Sequence, residues 1–381
     1  MIPYGRQTIS EDDIQKVVEV LRSDFITQGP ILDNFEKILS SEVKVNFSVA
    51  SNSATSSLLI SCLALGLNKG DILWTSPNSF VASSNCALHC GAKIDFVDIE
   101  INTGNMCVEK LEEKLIIADK KNTLPKIVIP VHFAGQPTDQ EKIWELSIKY
   151  GFKIIEDASH SLGASRDGEL VGSCKWSDIT VFSFHPVKMI TSCEGGMSVT
   201  NNKKLYESML MLRTHGITKN HSEMINDVPG PWYYEQQLLG FNFRMSDVHA
   251  ALGLSQLSKL KIFTQERNII AERYNNKLKS YNIQLPTIKD SNYCSFHLYV
   301  INLENKENHL RVFNDLRQNN IGVNVHYIPI HLHPYYKKLG FKEGDYKECE
   351  SFSSRAISIP MYPSLSIDQQ DHVIKTIINV L

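Results

Sequence analysis

The sequence has no run of about 18 or more apolar residues, so nothing in it predicts a membrane span. Its opening, MIPYGRQTISEDD, lacks the charged start and apolar stretch of a secretory signal. Excess positive charge is also missing. A formal charge of −3 gives no support for a nucleic-acid partner, which would call for a clustered basic surface. The eight cysteines show no paired metal-ligand spacing; Cys86 and Cys90 would share a helix face, but no second pair stands nearby. No metal site is expected, and the thiols read as reduced, packed side chains of a cytoplasmic enzyme. Four motifs are absent as well: G-x-G-x-x-G, G-x-x-x-x-G-K-[ST], H-E-x-x-H and G-x-S-x-G. Dinucleotide, P-loop, zinc-protease and α/β-hydrolase chemistry lose their usual support.

What remains is an ordinary globular composition, 381 residues long with 42% hydrophobic and 21% charged side chains. Ser10 and Asp13 predict a capped first helix carrying Ile14, Val17, Val18 and Leu21 on one side. A Thr27–Pro30 turn follows, and then a buried helix over the apolar run Leu58–Leu67. Strands are predicted at Ile72–Ser76, Lys93–Val97, Lys126–His132, Lys153–Glu156, Asp178–Phe184 and Met197–Thr200. Helical stretches near Ser79–Cys90, Val108–Leu115 and Thr138–Tyr150 separate several of them, which points to a mostly parallel sheet covered on both faces. A long helix from Ser246 past Arg273 should link this α/β domain (1–255) to a smaller α+β domain (256–381). There we expect strand Phe296–Leu303, helix Glu307–Asn319, strand Gly322–Tyr327 and a final helix capped by Ser366 and Gln369. Thr218–Gln236, polar and rich in turn formers, reads as a surface loop.

Three places gather polar residues directly after apolar strands, where open α/β sheets bind ligands. In Ile154-Ile155-Glu156-Asp157-Ala158-Ser159-His160 the acid is costly to bury unless paired. Asp157 reads either as a helix cap or as the partner of a buried cationic ring nitrogen. In Ser183-Phe184-His185-Pro186-Val187-Lys188, followed by Glu194-Gly195-Gly196, the lysine is either a solvated loop residue or a desolvated amine able to attack a carbonyl. Ser183 offers a hydroxyl to a phosphate, and the glycines allow a close backbone approach. Asn52-Ser53-Ala54-Thr55 opens a helix, whose free amides favour an anion. A phosphate seat, an amine nucleophile and an acid for a ring nitrogen are together the parts that pyridoxal phosphate (PLP) requires.

Four segments in this order, NSATSSL, EDASHSLG, SFHPVK…EGG and LGFNFRMSDVHAALGLSQL, resemble the DegT/DnrJ/EryC1/StrS family of sugar aminotransferases over nearly the whole chain. The resemblance implies PLP fold type I, with a mostly parallel seven-stranded sheet in the large domain. It implies that Lys188 holds the cofactor as a Schiff base and shuttles a proton, and that Asp157 keeps the pyridine nitrogen protonated. His160 would lie near the phenolic oxygen, and Phe80 would stack on the ring. Ala54, Thr55 and Ser183 would hold the phosphate, and Asn242 would reach the phosphate of a neighbouring subunit, making the enzyme a homodimer with shared active sites. L-Glutamate is the implied donor and a nucleotide-linked keto-sugar the acceptor. His160 in place of the commoner glutamine, the FNFRM segment and Val325–Pro329 lean towards members that aminate C4 of a UDP-linked 2-acetamido-2,6-dideoxy-4-keto-hexose in pseudaminic-acid synthesis. Tyr4, Gln28, His326, Tyr327 and His331 are the implied substrate contacts. Acceptors leading to perosamine or bacillosamine are alternatives, as is a PLP-binding regulator without turnover. The related 3-dehydratases carry histidine where this chain has Lys188.

Overall fold

A computed structural model describes residues 1–381. Seven strands form the main sheet: β1 (Phe47–Ser51), β2 (Ile72–Thr75), β3 (Lys93–Phe96), β4 (Ile127–Ile129), β5 (Lys153–Asp157), β6 (Ile179–Ser183) and β7 (Gly196–Thr200). Their order is β1-β7-β6-β5-β4-β2-β3, and only β7 runs against its two neighbours. The period-two alternation of strands sends successive side chains to opposite faces. Leu73, Ile155, Ile179 and Val181 pack with Leu58 and Ile60 of the helix Ala54–Ala64. Trp74, Val128 and Ile154 pack instead with Leu111, Leu115 and Ile143. Phe182 joins Phe35 and Leu39 in a third cluster. Both faces are therefore covered, and each such fully buried side chain stabilises the fold by roughly 1.5–3 kcal/mol.

Two buried carboxylates tie the N-terminal helices to this body. Asp13 completes the predicted capping box with Ser10 and also accepts from Ser255 Oγ (2.6 Å) and Gln256 Nε2 (2.8 Å). Burial alone would raise its pKa, but Lys259 and the other donors draw it down to about 2. Asp247 takes the amides of Gly29 (2.8 Å) and Ile31 (3.0 Å), supplying the anion that a glycine cap lacks at the helix Pro30–Val43. The Thr27–Pro30 turn is held in this way.

The predicted long helix is two: Asp247–Leu257 and Leu260–Leu278, parted at Ser258 and Lys259. Beyond them a small antiparallel sheet sets Tyr299–Leu303 between Ile283–Gln284 and Ala356–Ile359. Its core gathers Tyr274, Ile301, Val312, Ile357 and Val373, and the partly buried Ile2 packs against it. Ile2 also makes a parallel bridge to Ile321. The predicted strand Gly322–Tyr327 is not one; it makes a single bridge, Asn324 to Ser358, before turning its side chains inward. Ser366 and Gln369 cap the last helix as expected. Within Thr218–Gln236 the ends pair as a short antiparallel ladder, Ile217–Thr218 against Glu235–Gln236.

Candidate active site

The carboxyl ends of β1, β5 and β6 meet on one side of the sheet, and the site grows from them. Asp157 closes β5. Its Oδ2 accepts from Ser83 Oγ (2.6 Å) and its Oδ1 from the Ser159 amide (3.1 Å), so this buried carboxylate is paired to neutral donors alone. Ser83 lies on the helix Ala82–His89, one turn beyond Phe80, whose ring stands 60% exposed at the rim, 6.4 Å from Tyr327.

Lys188 sits on the segment between β6 and β7. That segment is braced at both ends: the Phe184 amide donates to Gly195 (2.9 Å) and the Ser192 amide to Phe184 (3.0 Å). The residue as a whole is partly exposed, but its amine is desolvated. Burial pulls the pKa down to about 8, resisted by the negative charge of Asp157. The ammonium holds its proton less tightly than an exposed lysine does, so a neutral, nucleophilic fraction is within reach near physiological pH.

Around that amine stands a wall of rings. His297 Nε2 lies 3.5 Å from Lys188 Nζ. The ring of His297 is 4.4 Å from that of His160, and Tyr327 places its hydroxyl 3.1 Å from His160 Nε2. Burial first, then the nearby positive charge of Lys188, holds His160 and His297 well below the ordinary imidazole range and His326 at about 4. Tyr327 is pushed upward by burial and by Asp157, so its hydroxyl stays protonated. Nδ1 of His160 is buried and has no partner in the protein; His297 Nδ1 is likewise unpartnered. His326 is fixed by Ser358 Oγ (2.7 Å) and lies 5.3 Å from the ring of Tyr4.

The third end is the start of the helix Ala54–Ala64, whose first amides have no helical acceptors. Ser183 pairs with Gly196, and Gly196 pairs with Ser51, so hydroxyl and helix start are neighbours across β7. A Cβ on Gly196 would run into the backbone of Ser53 and Ala54, which is why a glycine stands there. Asn242 is exposed beside this seat, its segment tied to it by the Asn52 amide donating to Phe243 O (2.8 Å).

Two expected substrate contacts stand apart. Gln28 is exposed on the turn before Pro30, with a left-handed φ of 56°. His331 is fully buried against Glu350 (2.8 Å) and the ring of Tyr346, and makes no contact with Lys188. Conversely, His297 and Ser83 were not among the residues singled out from sequence. His297 opens the apolar run of a predicted strand and looks like packing. Ser83 carries no local signal, being one of several serines between Ser76 and Ser84.

Residues 7–378 match the model of the DegT/DnrJ/EryC1/StrS aminotransferase family. The chain belongs to that family. It is 36% identical over 387 residues to the UDP-4-amino-4,6-dideoxy-N-acetyl-beta-L-altrosamine transaminase of Campylobacter jejuni, covering 100% of this chain and 98% of the relative. It is 34% identical over 386 residues to the spore coat polysaccharide biosynthesis protein SpsC of Bacillus subtilis, covering 100% and 97%. Among solved structures, Helicobacter pylori PseC, an aminotransferase involved in the biosynthesis of pseudoaminic acid, superposes with a TM-score of 0.91 at 30% identity, covering 100% and 98%. The PLP form of a putative sugar aminotransferase, Spr1654 from Streptococcus pneumoniae, gives 0.89 at 28% identity, covering 100% and 98%.

Fold type, enzyme class and cofactor follow from this membership: the chain is a sugar aminotransferase and its cofactor is PLP. The donor set fits that molecule. An enclosed amine, a buried carboxylate, an unpartnered imidazole nitrogen and a helix start with adjoining hydroxyl are four separate polar ends, and PLP has an aldehyde, a ring nitrogen, a phenolic oxygen and a phosphate.

Proposed function

We propose that this enzyme moves an amino group from L-glutamate to the C4 keto group of a nucleotide-linked 4-keto-6-deoxy sugar, with UDP-2-acetamido-2,6-dideoxy-hexos-4-ulose as the acceptor. The observation that carries the chemistry is the desolvated amine of Lys188 in the field of Asp157. When bound, PLP supplies an electron-withdrawing ring that acidifies the carbon bearing the amino group.

The protein's own residues do the rest. Lys188 Nζ is the covalent anchor, and once released it carries the proton away from, and later towards, the reacting carbon. A positioned base of this kind is worth roughly 10²–10⁴-fold. Asp157 would hold a proton on the ring nitrogen, and Ser83 and the Ser159 amide keep that carboxylate aimed. His160, through its unpartnered Nδ1, would serve the phenolic oxygen. Ala54 and Thr55 at the helix start, with Ser183, seat the phosphate. Phe80 would cover the ring, and Tyr4, His326 and Tyr327 would border the sugar.

The acceptor is argued from the company this chain keeps, the C. jejuni transaminase and PseC, together with histidine at position 160. SpsC, similar over the same span, argues more broadly for surface-polysaccharide sugars. Perosamine- and bacillosamine-type acceptors are the alternatives, and retention of Lys188 and Asp157 weighs against a regulator without turnover. We further propose a cytoplasmic homodimer with shared sites. In support, Asn242 is exposed beside the phosphate seat, and the neighbouring segment leaves Ile225, Trp232 and Leu239 more than 70% exposed. No helix is long and apolar enough to cross a membrane. The test is a panel of UDP-, GDP- and dTDP-linked 4-keto sugars with glutamate, with products read by mass. A one-step exchange of keto oxygen for amine on the UDP-N-acetyl sugar is expected; amination of only a GDP- or dTDP-linked sugar refutes the assignment.

A further inference from the structure

His297 is held with unusual thoroughness for a residue with no part in the reading above. It follows Phe296, whose φ of 50° lies in the left-handed region that a phenylalanine seldom adopts. The carbonyls of Phe296 (3.1 Å) and His297 (3.3 Å), with that of Met361 (2.9 Å), accept from Nη1 of Arg267, a guanidinium only 1% exposed that has no carboxylate partner. One residue earlier, Ser295 Oγ donates to the His160 carbonyl (2.9 Å), which locks the two imidazoles to a common frame. A buried cation held only by carbonyls is a costly device unless the backbone it fixes matters. The side chain so fixed reaches Lys188 Nζ at 3.5 Å through Nε2.

We infer that His297 is a positioning residue, accepting a hydrogen bond from the amine of Lys188 whenever that amine is free of cofactor and aiming it at the incoming carbonyl. The inference rests on the PLP reading of the site. A free lysine has four rotatable side-chain bonds, and an acceptor at its tip restricts them at the stage when the chain would otherwise wander. The titratable and charged groups facing His297 are Lys188, His160, His326 and Arg267, all cationic or neutral, and together with burial they keep the imidazole in its accepting, uncharged form. Phe80 and Tyr327 lie further out and add no charge.

The test uses cofactor-free protein and PLP alone. Capture joins the Lys188 nitrogen to the aldehyde carbon, and the aldehyde oxygen leaves as water with the two amine hydrogens. Its rate is followed by absorbance against pH, and borohydride reduction with peptide mapping identifies the lysine. His297→Phe, similar in size but without an acceptor, should slow capture by roughly tenfold, the scale of one hydrogen bond, and shift the midpoint of the pH profile below that of the wild type. His297→Gln, which restores an acceptor, should recover most of the rate and the midpoint. Wild-type rates and midpoint in His297→Phe overturn the proposal, as does equal impairment of both variants, which would mark His297 as packing. A wild-type chain that captures no PLP at Lys188 overturns the cofactor reading along with it.

Discussion

Glu156 and Asp157 are neighbours on β5, yet the two faces of the sheet treat them in opposite ways. Glu156 points into a finished network. Its oxygens take Ser177 Oγ (2.5 Å), Thr180 Oγ1 (2.9 Å) and His132 Nε2 (2.7 Å), while His132 Nδ1 accepts the Thr138 amide (3.0 Å). Burial would raise its pKa, but the His132 contact and the two hydroxyls more than offset that and hold it below the ordinary value. Asp157 lies instead in the field of a lysine amine, and the imidazoles around that amine keep nitrogens that have no partner in the protein. A closed network stabilises a fold. An open one is kept because something else closes it.

That contrast can be broken from either side. The largest effect is expected at Lys188: Lys188→Ala should abolish borohydride-fixed PLP and lower transamination by more than roughly 10⁴-fold, with the cofactor-free protein still folded by circular dichroism. Cofactor still fixed on that variant would remove Lys188 from its role. Glu156→Ala should do the reverse. Stripping the anion from a buried, hydrogen-bonded network costs about 3–5 kcal/mol in urea unfolding, while the fraction that remains folded keeps capturing PLP at Lys188. Equal stability of variant and wild type would show that the two faces are not so differently built.

A smaller effect sharpens the comparison through pH. The histidines of the open face have depressed pKa values, so below about 6.5 the unfolded chain binds protons that the fold refuses. Cofactor-free protein should therefore lose stability as pH falls from 6.5 through the value of about 4 held by His326. His326→Gln should flatten part of that slope in thermal melts taken across the range. An unchanged slope would mean that His326 is protonated without cost.

How much of this was legible beforehand divides along the same line. Six strands of the large sheet were readable from their Val- and Ile-rich cores, and the polar residues at their ends marked Asp157, Ser183 and Lys188. β1 was missed because Phe47-Ser48-Val49-Ala50-Ser51 is short and serine-rich, and gains its pairing only from β7. Gly322–Tyr327 has strand-like composition, but one bridge is all its surroundings supply. The helix break at Ser258 and Lys259 carries neither glycine nor proline. His297 was hidden for a different reason. Its meaning depends on Lys188, 109 residues earlier, and on the buried Arg267, and no local spacing encodes a contact of that range.

The braced segment between Phe184 and Gly195 leaves the sheet on one strand and re-enters it on the adjacent antiparallel one, with Ser183 opposite Gly196. Its length is therefore not slack. Adding or deleting one residue between Ser183 and Lys188 would translate into a displacement of the reactive nitrogen relative to Asp157. Among homologues of this architecture, that span should tolerate exchange of side chains far more readily than any change in their number.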